Sequence, residues 1–238
     1  MAQIVRSHHG QLGRPPAPAK LGAAVIAVED ENFYSNVVVD VFDGLARAGL
    51  ASLSASGDPG GSTIDQQLAK QLYPQGTGFS ASLGELGTGV KLALRYSKRQ
   101  ILLMYLNVVY FGHHFWGYRA AAEGYFGVAP HKLTWAQAAM LAGLPQAPSA
   151  YDPVLHFTEA KQRQLHVLNQ LAVNHDLTGA QARSAYREAL HLLRPGTRAW
   201  FLPRGHEQRT HYWYQPRPGA GGQVSARILG RPSRWRIR

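Results

Sequence analysis

The sequence predicts a mainly α-helical domain, and three observations carry that prediction. Three Ser/Thr-x-x-Gln tetrads, Ser97 to Gln100, Thr134 to Gln137 and Thr178 to Gln181, each precede an apolar run with helical spacing. Alternation with period two, the mark of a half-buried strand, is almost missing. The 238 residues are 45% hydrophobic, which is enough for one sizeable core. No internal repeat is visible.

Residues 1–20 form a Pro-rich leader with no apolar core of a secretory signal. Leu21 to Val28 is continuously apolar and runs into Glu29-Asp30-Glu31 and then Phe33-Tyr34. A short helix over Asp43 to Leu53 carries Arg47, and a Ser/Gly/Asp/Pro loop follows from Ser54 to Gly61. Ser62 suits the N-cap of the next helix, where Ile64, Leu68 and Leu72 make one apolar stripe before Pro74. Residues 74–82 read as a connector, and Gly84, Gly87 and Gly89 weaken any helix through Leu86 to Leu94. The Ser97 tetrad opens a helix ending near Gly112, and the Thr134 tetrad opens one that Pro145 stops. Thr158 can cap a helix from Glu159 to about Asn174, and the Thr178 tetrad opens a last one to about Leu193. The organisation is thus a leader at 1–20, a folded domain at 21–193 and an Arg-rich tail, expected to be disordered, at 194–238.

The net charge of +11 sits mostly in that tail, which holds ten arginines against Glu207 alone. The domain itself is nearly neutral, so the high isoelectric point of the whole chain does not indicate a nucleic-acid partner, and none is expected. In the tail, arginines with Trp200, Trp213 and Trp235 suit an anionic lipid surface as well as an unstructured extension. The chain has no cysteine, which excludes disulfides and thiolate metal sites. No stretch approaches the roughly 20 apolar residues that span a bilayer.

Chemistry concentrates around Gly60-Gly61-Ser62-Thr63-Ile64-Asp65-Gln66-Gln67-Leu68-Ala69-Lys70. A Gly-rich turn there feeds a helix on which Thr63, Gln67 and Lys70 share a stripe flanked by Gln66. A helix N-terminus with one lysine and neutral donors can hold a phosphate or pyrophosphate. On spacing alone the same stripe also suits the solvated face of a capped surface helix. Glu29, at the edge of an apolar run, is the best general base, because partial desolvation raises a carboxyl pKa. Glu85 is isolated in a weakly charged stretch and is the second carboxylate candidate. His8-His9 and His113-His114 lack a carboxylate at ligand spacing and read as surface histidines. No Ser-x-x-Lys, Gly-x-Ser-x-Gly or P-loop ending occurs.

Taken together, Glu29 to Tyr34 and Gly60 to Lys70 resemble the first two signature motifs of the peptidoglycan glycosyltransferases, glycosyltransferase family 51. Ser97-Lys98, Ile101-Leu102, Tyr105-Leu106-Asn107 and Tyr110-Phe111-Gly112 are similar to its fourth motif. Tyr125-Phe126-Gly127 and the run from Ala138 to Ser149, with Tyr151 and Pro153, are similar to the remainder. The resemblance covers about residues 21–192. It implies a lysozyme-like head lobe with a small membrane-facing jaw lobe, and a murein polymerase that acts on lipid II with inversion at the anomeric carbon. Glu29 would deprotonate the acceptor hydroxyl, and Glu85 would assist the pyrophosphate leaving group. Asp30, Phe33, Arg47, Ser62, Thr63, Gln66, Gln67, Lys70 and Asn107 would surround the substrate.

The resemblance implies lipid II, the nascent glycan strand and the membrane surface as partners, with other cell-wall synthesis proteins beside them. No cofactor is identified beyond a divalent cation, Mg or Mn, accompanying the pyrophosphate. It also implies work at the outer face of the cytoplasmic membrane, with an anchor encoded upstream. Asn36, Val38, Ala81 and Ser82 replace the family's usual His, Gly, Arg and Lys, Asp65 replaces its usual Thr, and Arg47 sits one residue late. Losing cations and gaining Asp65 weakens a pyrophosphate site, so the alternative expectation is a catalytically impaired lipid II or cell-wall binding and scaffolding module.

Overall fold

Helices account for the regular structure, as the capping tetrads require. The computed structural model describes residues 16–34, 63–72, 88, 91–92 and 94–193. Its α-helices are α1 (Ala19–Glu29), α2 (Ile64–Leu72), α3 (Lys98–Val108), α4 (Tyr118–Phe126), α5 (Trp135–Gly143), α6 (Phe157–Val173) and α7 (Gly179–Arg187), with a 3₁₀ turn at Pro130–Lys132. Among the described residues the only extended pairing is one antiparallel bridge between Tyr110 and Trp116. Arg47, Ser62, Glu85, Asn36, Val38, Ala81 and Ser82 lie outside the described residues, as do the leader up to residue 15, the helix expected over Asp43 to Leu53 and the tail.

The core follows from small side chains on apolar helices. Ala24 and Ala27 of α1 and Ala136, Ala138, Ala139 and Ala142 of α5 are all buried, which lets helix axes approach closely. Helix α1 packs on α5 and α6, α5 packs on α6, and α7 closes over α6. Helices α2 and α3 form a second pair, joined to the first through α4 and by the end of α1. Tyr105, Tyr125, Phe33 and Phe111 are fully buried where these layers meet. Burying side chains of that size accounts for several kcal/mol each, about 3–5 on truncation to alanine.

All three capping boxes form, each with a Ser or Thr oxygen on the N3 amide and the N3 glutamine returned to the cap N–H. Helix ends differ from the sequence reading. Helix α3 stops at Val108, because Val109 turns extended and residues 110–116 fold back, with Gly117 N–H donating to the Val109 carbonyl at 2.9 Å. Helix α7 stops at Arg187, since the following segment runs to Leu193, whose N–H donates to the Tyr125 carbonyl at 2.8 Å. Helix α6 begins at Phe157 with His156 at its N-cap, so Thr158 lies inside the first turn and does not cap it. Helix α4 was not expected at all. It is flanked by Gly117 (φ 78) and by Gly127 in the left-handed conformation, and it buries Tyr118, Ala121, Ala122 and Tyr125 at helical spacing.

Candidate active site

Glu29 is the last residue of α1, where the helix delivers its carboxylate from the apolar core to the start of α2. Its Oε2 accepts a hydrogen bond from Gln67 Nε2 at 2.8 Å. The Gln67 Oε1 in turn accepts from the Tyr105 hydroxyl at 2.9 Å, so three side chains from three helices form one chain of donors. Glu29 Oε1 is buried and has no hydrogen-bond partner among the described residues. Burial pushes the Glu29 carboxyl above its ordinary value of 4.5, while the Gln67 hydrogen bond and the charge of Arg163 pull the other way. Tyr105 is held firmly as the protonated donor, by burial first and then by the Glu29 charge. The result is a carboxylate fixed through one oxygen and, among the described residues, unpartnered at the other.

Asp30 is the C-cap of α1, and its Oδ2 accepts from the Ile64 N–H at 3.1 Å, which satisfies one of the free donors at the start of α2. Thr63 caps the same helix. Its Oγ1 accepts from Gln66 N–H and its own N–H donates to Gln66 Oε1, both at 3.3 Å. Thr63-Ile64-Asp65-Gln66 is thus a fourth capping box, and the N-cap expected at Ser62 belongs to Thr63. The polar stripe divides accordingly: Thr63 is buried in the cap, Gln67 turns inward to Glu29, and Lys70 is exposed in the last turn.

Asp65, which adds a negative charge to a phosphate-binding helix on paper, is buried and paired. Lys98 Nζ lies 2.9 Å from its Oδ2 and 4.8 Å from the centre of the fully buried Phe33 ring. The extra anion therefore arrives with its own cation from the first residue of α3. Asn107, also expected around the substrate, is 3% exposed and donates to the Leu103 carbonyl at 2.7 Å within α3. His113 departs from its reading as a surface residue. It is half-buried, and its Nδ1 lies 2.7 Å from Oδ2 of the buried Asp152, while His114 is exposed.

Two participants escaped the sequence reading. Tyr105 appeared only as part of a motif, although an apolar helix carrying one tyrosine hydroxyl asks for a partner. Arg163 of α6 gave no signal, since it sits among other polar residues of an amphipathic helix.

The family model described as Transglycosylase matches residues 7–172. The chain belongs to this family, the peptidoglycan glycosyltransferases. As a transglycosylase it is 42% identical over 176 residues to penicillin-binding protein 1A of Neisseria flavescens, covering 73% of this chain and 22% of that protein. The chain therefore spans about a fifth of the length of that relative. A protein of Cupriavidus necator assigned as a transglycosylase is 39% identical over 155 residues, covering 65% of this chain and 67% of the relative. The crystal structure of penicillin-binding protein 1A from Haemophilus influenzae is 31% identical over 43% of this chain and 16% of that one, with a TM-score of 0.39. Among the described residues no helix is long and apolar enough to cross a membrane.

Proposed function

We propose that residues 21–193 polymerise lipid II into glycan strands with inversion at the anomeric carbon, and that Glu29 is the general base. The observation that carries this reading is the Glu29 carboxylate, anchored by Gln67 at 2.8 Å and left without a partner at the buried Oε1 among the described residues. As the acceptor 4-hydroxyl attacks the anomeric carbon, its proton passes to Oε1 and the bond to the undecaprenyl pyrophosphate breaks. A carboxyl whose affinity for protons is raised by burial is the better base for that transfer. Gln67 and Tyr105 fix the carboxylate's rotation through Oε2 and leave the buried Oε1 as the acceptor of the proton in this proposal.

Lys70, the exposed cation of α2, holds the pyrophosphate in this proposal, with Arg47 and Glu85 as further contacts from outside the described residues. The pairing of Asp65 with Lys98 removes one reason to expect an impaired site. A divalent cation, Mg or Mn, accompanies the pyrophosphate in this proposal, and the proton transfer is assigned to Glu29. The reaction is placed at the outer face of the cytoplasmic membrane, with the nascent strand and other cell-wall synthesis proteins as partners. Incubation of the purified chain with labelled lipid II tests the reading. Polymer that disappears in Glu29→Gln supports it, whereas binding without polymer points to the scaffolding alternative.

A further inference from the structure

Tyr105 of α3 is fully buried, and its hydroxyl donates to Gln67 Oε1 at 2.9 Å from 38 positions away in the chain. Gln67 Nε2 donates in turn to Glu29 Oε2 at 2.8 Å. The three groups differ in what they can do. An ionised carboxylate only accepts, a phenol donates or accepts, and a primary amide can turn end for end. Two arrangements therefore fit the same three side chains. In the one observed, the amide nitrogen faces Glu29 and the amide oxygen faces the phenol. In the other, the amide is turned, so that its nitrogen faces the phenol and its oxygen meets Glu29 Oε2, which is tolerated only when that oxygen carries a proton. Turning the amide also takes the acceptor away from the Tyr105 proton inside the core, where an unmade hydrogen bond is costly.

We propose that Tyr105 is a positioning residue whose hydroxyl sets the polarity of the Gln67 amide, and through it the Glu29 oxygen that takes the acceptor's proton. The inference rests on the assignment of Glu29 as the base. With the amide held, Oε2 keeps the same donor throughout, first as a carboxylate oxygen and then as the carbonyl oxygen of the acid. The proton leaving the acceptor 4-hydroxyl goes to Oε1 as the glycosidic bond forms and the bond to the pyrophosphate breaks. No amide has to turn during the step. Without the phenol the amide turns at little cost, and a protonated Glu29 can then donate through Oε2 to the Gln67 oxygen. More of the resting protein is then protonated, and a protonated carboxyl cannot serve as the base.

The test is a carbon-13 NMR titration of the Glu29 carboxyl in the whole chain, which needs no turnover. Tyr105→Phe is expected to move the Glu29 midpoint upward by about one pH unit, and the shift should vanish in a Gln67→Met background, because the hydroxyl acts through the amide. The charges on the surrounding helices, Arg163 and His166 on α6, Lys70 on α2, the Asp65–Lys98 pair and Asp30, are common to wild type and Tyr105→Phe, and α5 carries no ionisable side chain. A difference between the two proteins therefore reports the hydroxyl. The acid limb of the polymerisation profile should move with the midpoint while the plateau above it is kept. An unchanged midpoint in folded Tyr105→Phe would overturn the proposal, as would a shift of the same size in both backgrounds. If Tyr105→Phe does not fold, the wild-type chain decides: nuclear Overhauser contacts that move the Gln67 Nε2 protons from Glu29 to Tyr105 as the carboxyl protonates overturn the idea, and contacts that stay fixed support it. A wild-type chain that never polymerises lipid II would instead sink the functional assignment and leave the titration to decide on Tyr105.

Discussion

Gln67 and Gln164 sit on packed helices and use both ends of their amides, but they finish in different chemistry. Gln164 is fully buried; its Nε2 donates to the Ala136 carbonyl at 2.7 Å and its Oε1 accepts from Lys161 at 2.6 Å. Lys161 closes that network on the Tyr186 carbonyl at 2.7 Å and on the Tyr186 ring. Gln67 instead links the Tyr105 hydroxyl to a carboxylate that keeps one oxygen open among the described residues. A network that ends on backbone carbonyls has no capacity left, and it fixes a fold. A network that ends on half of a carboxylate keeps an acceptor in reserve, which is what the proposed general base requires.

The largest expected effect lies on the reactive side. Glu29→Gln keeps the shape and the contact to Gln67, and should lower the polymerisation rate by about 10²- to 10⁴-fold with little loss of lipid II binding. Next comes the buried pair beside it. Lys98→Met strands the Asp65 carboxylate and should lower stability by roughly 3–5 kcal/mol in urea titrations, with Asp65→Thr in the same chain recovering most of it. On the closed side, Gln164→Leu removes one hydrogen bond each from the Ala136 carbonyl and from Lys161 and should cost about 1–3 kcal/mol, leaving turnover per folded molecule unchanged. A Gln164 variant that lost turnover while remaining folded would erase the contrast between the two regions.

The smallest effect is a pH dependence of stability. The folded Glu29 carboxyl titrates above its ordinary 4.5, so its contribution is fully present below that value and is lost as pH rises through the folded midpoint. The melting temperature of Glu29→Gln relative to wild type should therefore increase from acid toward neutral pH, by about 2–4 °C for each kcal/mol involved. Calorimetry across that range would refute it by showing a constant difference.

What the sequence disclosed follows from how local each interaction is. The capping boxes span four residues and were legible, although Thr63 to Gln66 was hidden by the preceding Ser62. The ends of α3 and α7 were not, because the Tyr110–Trp116 bridge and the Leu193 to Tyr125 contact are tertiary. Glu29 and Gln67 were readable as residue types at motif spacing. Asp65 looked like a defect because its partner stands on another helix, Lys98 being 33 positions away.

The bond from Asp30 to the Ile64 N–H closes a span of 34 residues, and its consequence is evolutionary. Doubling the length of a flexible loop costs only about 0.6 kcal/mol of closure entropy, less than the roughly 1.5–3 kcal/mol of a hydrogen bond to a charged group. A change of length between those two anchors then leaves Glu29 in register with Gln67. Within that stretch, change is bounded by Phe33, buried under the Lys98 ammonium, and by Arg47, which the proposed function sets against the pyrophosphate.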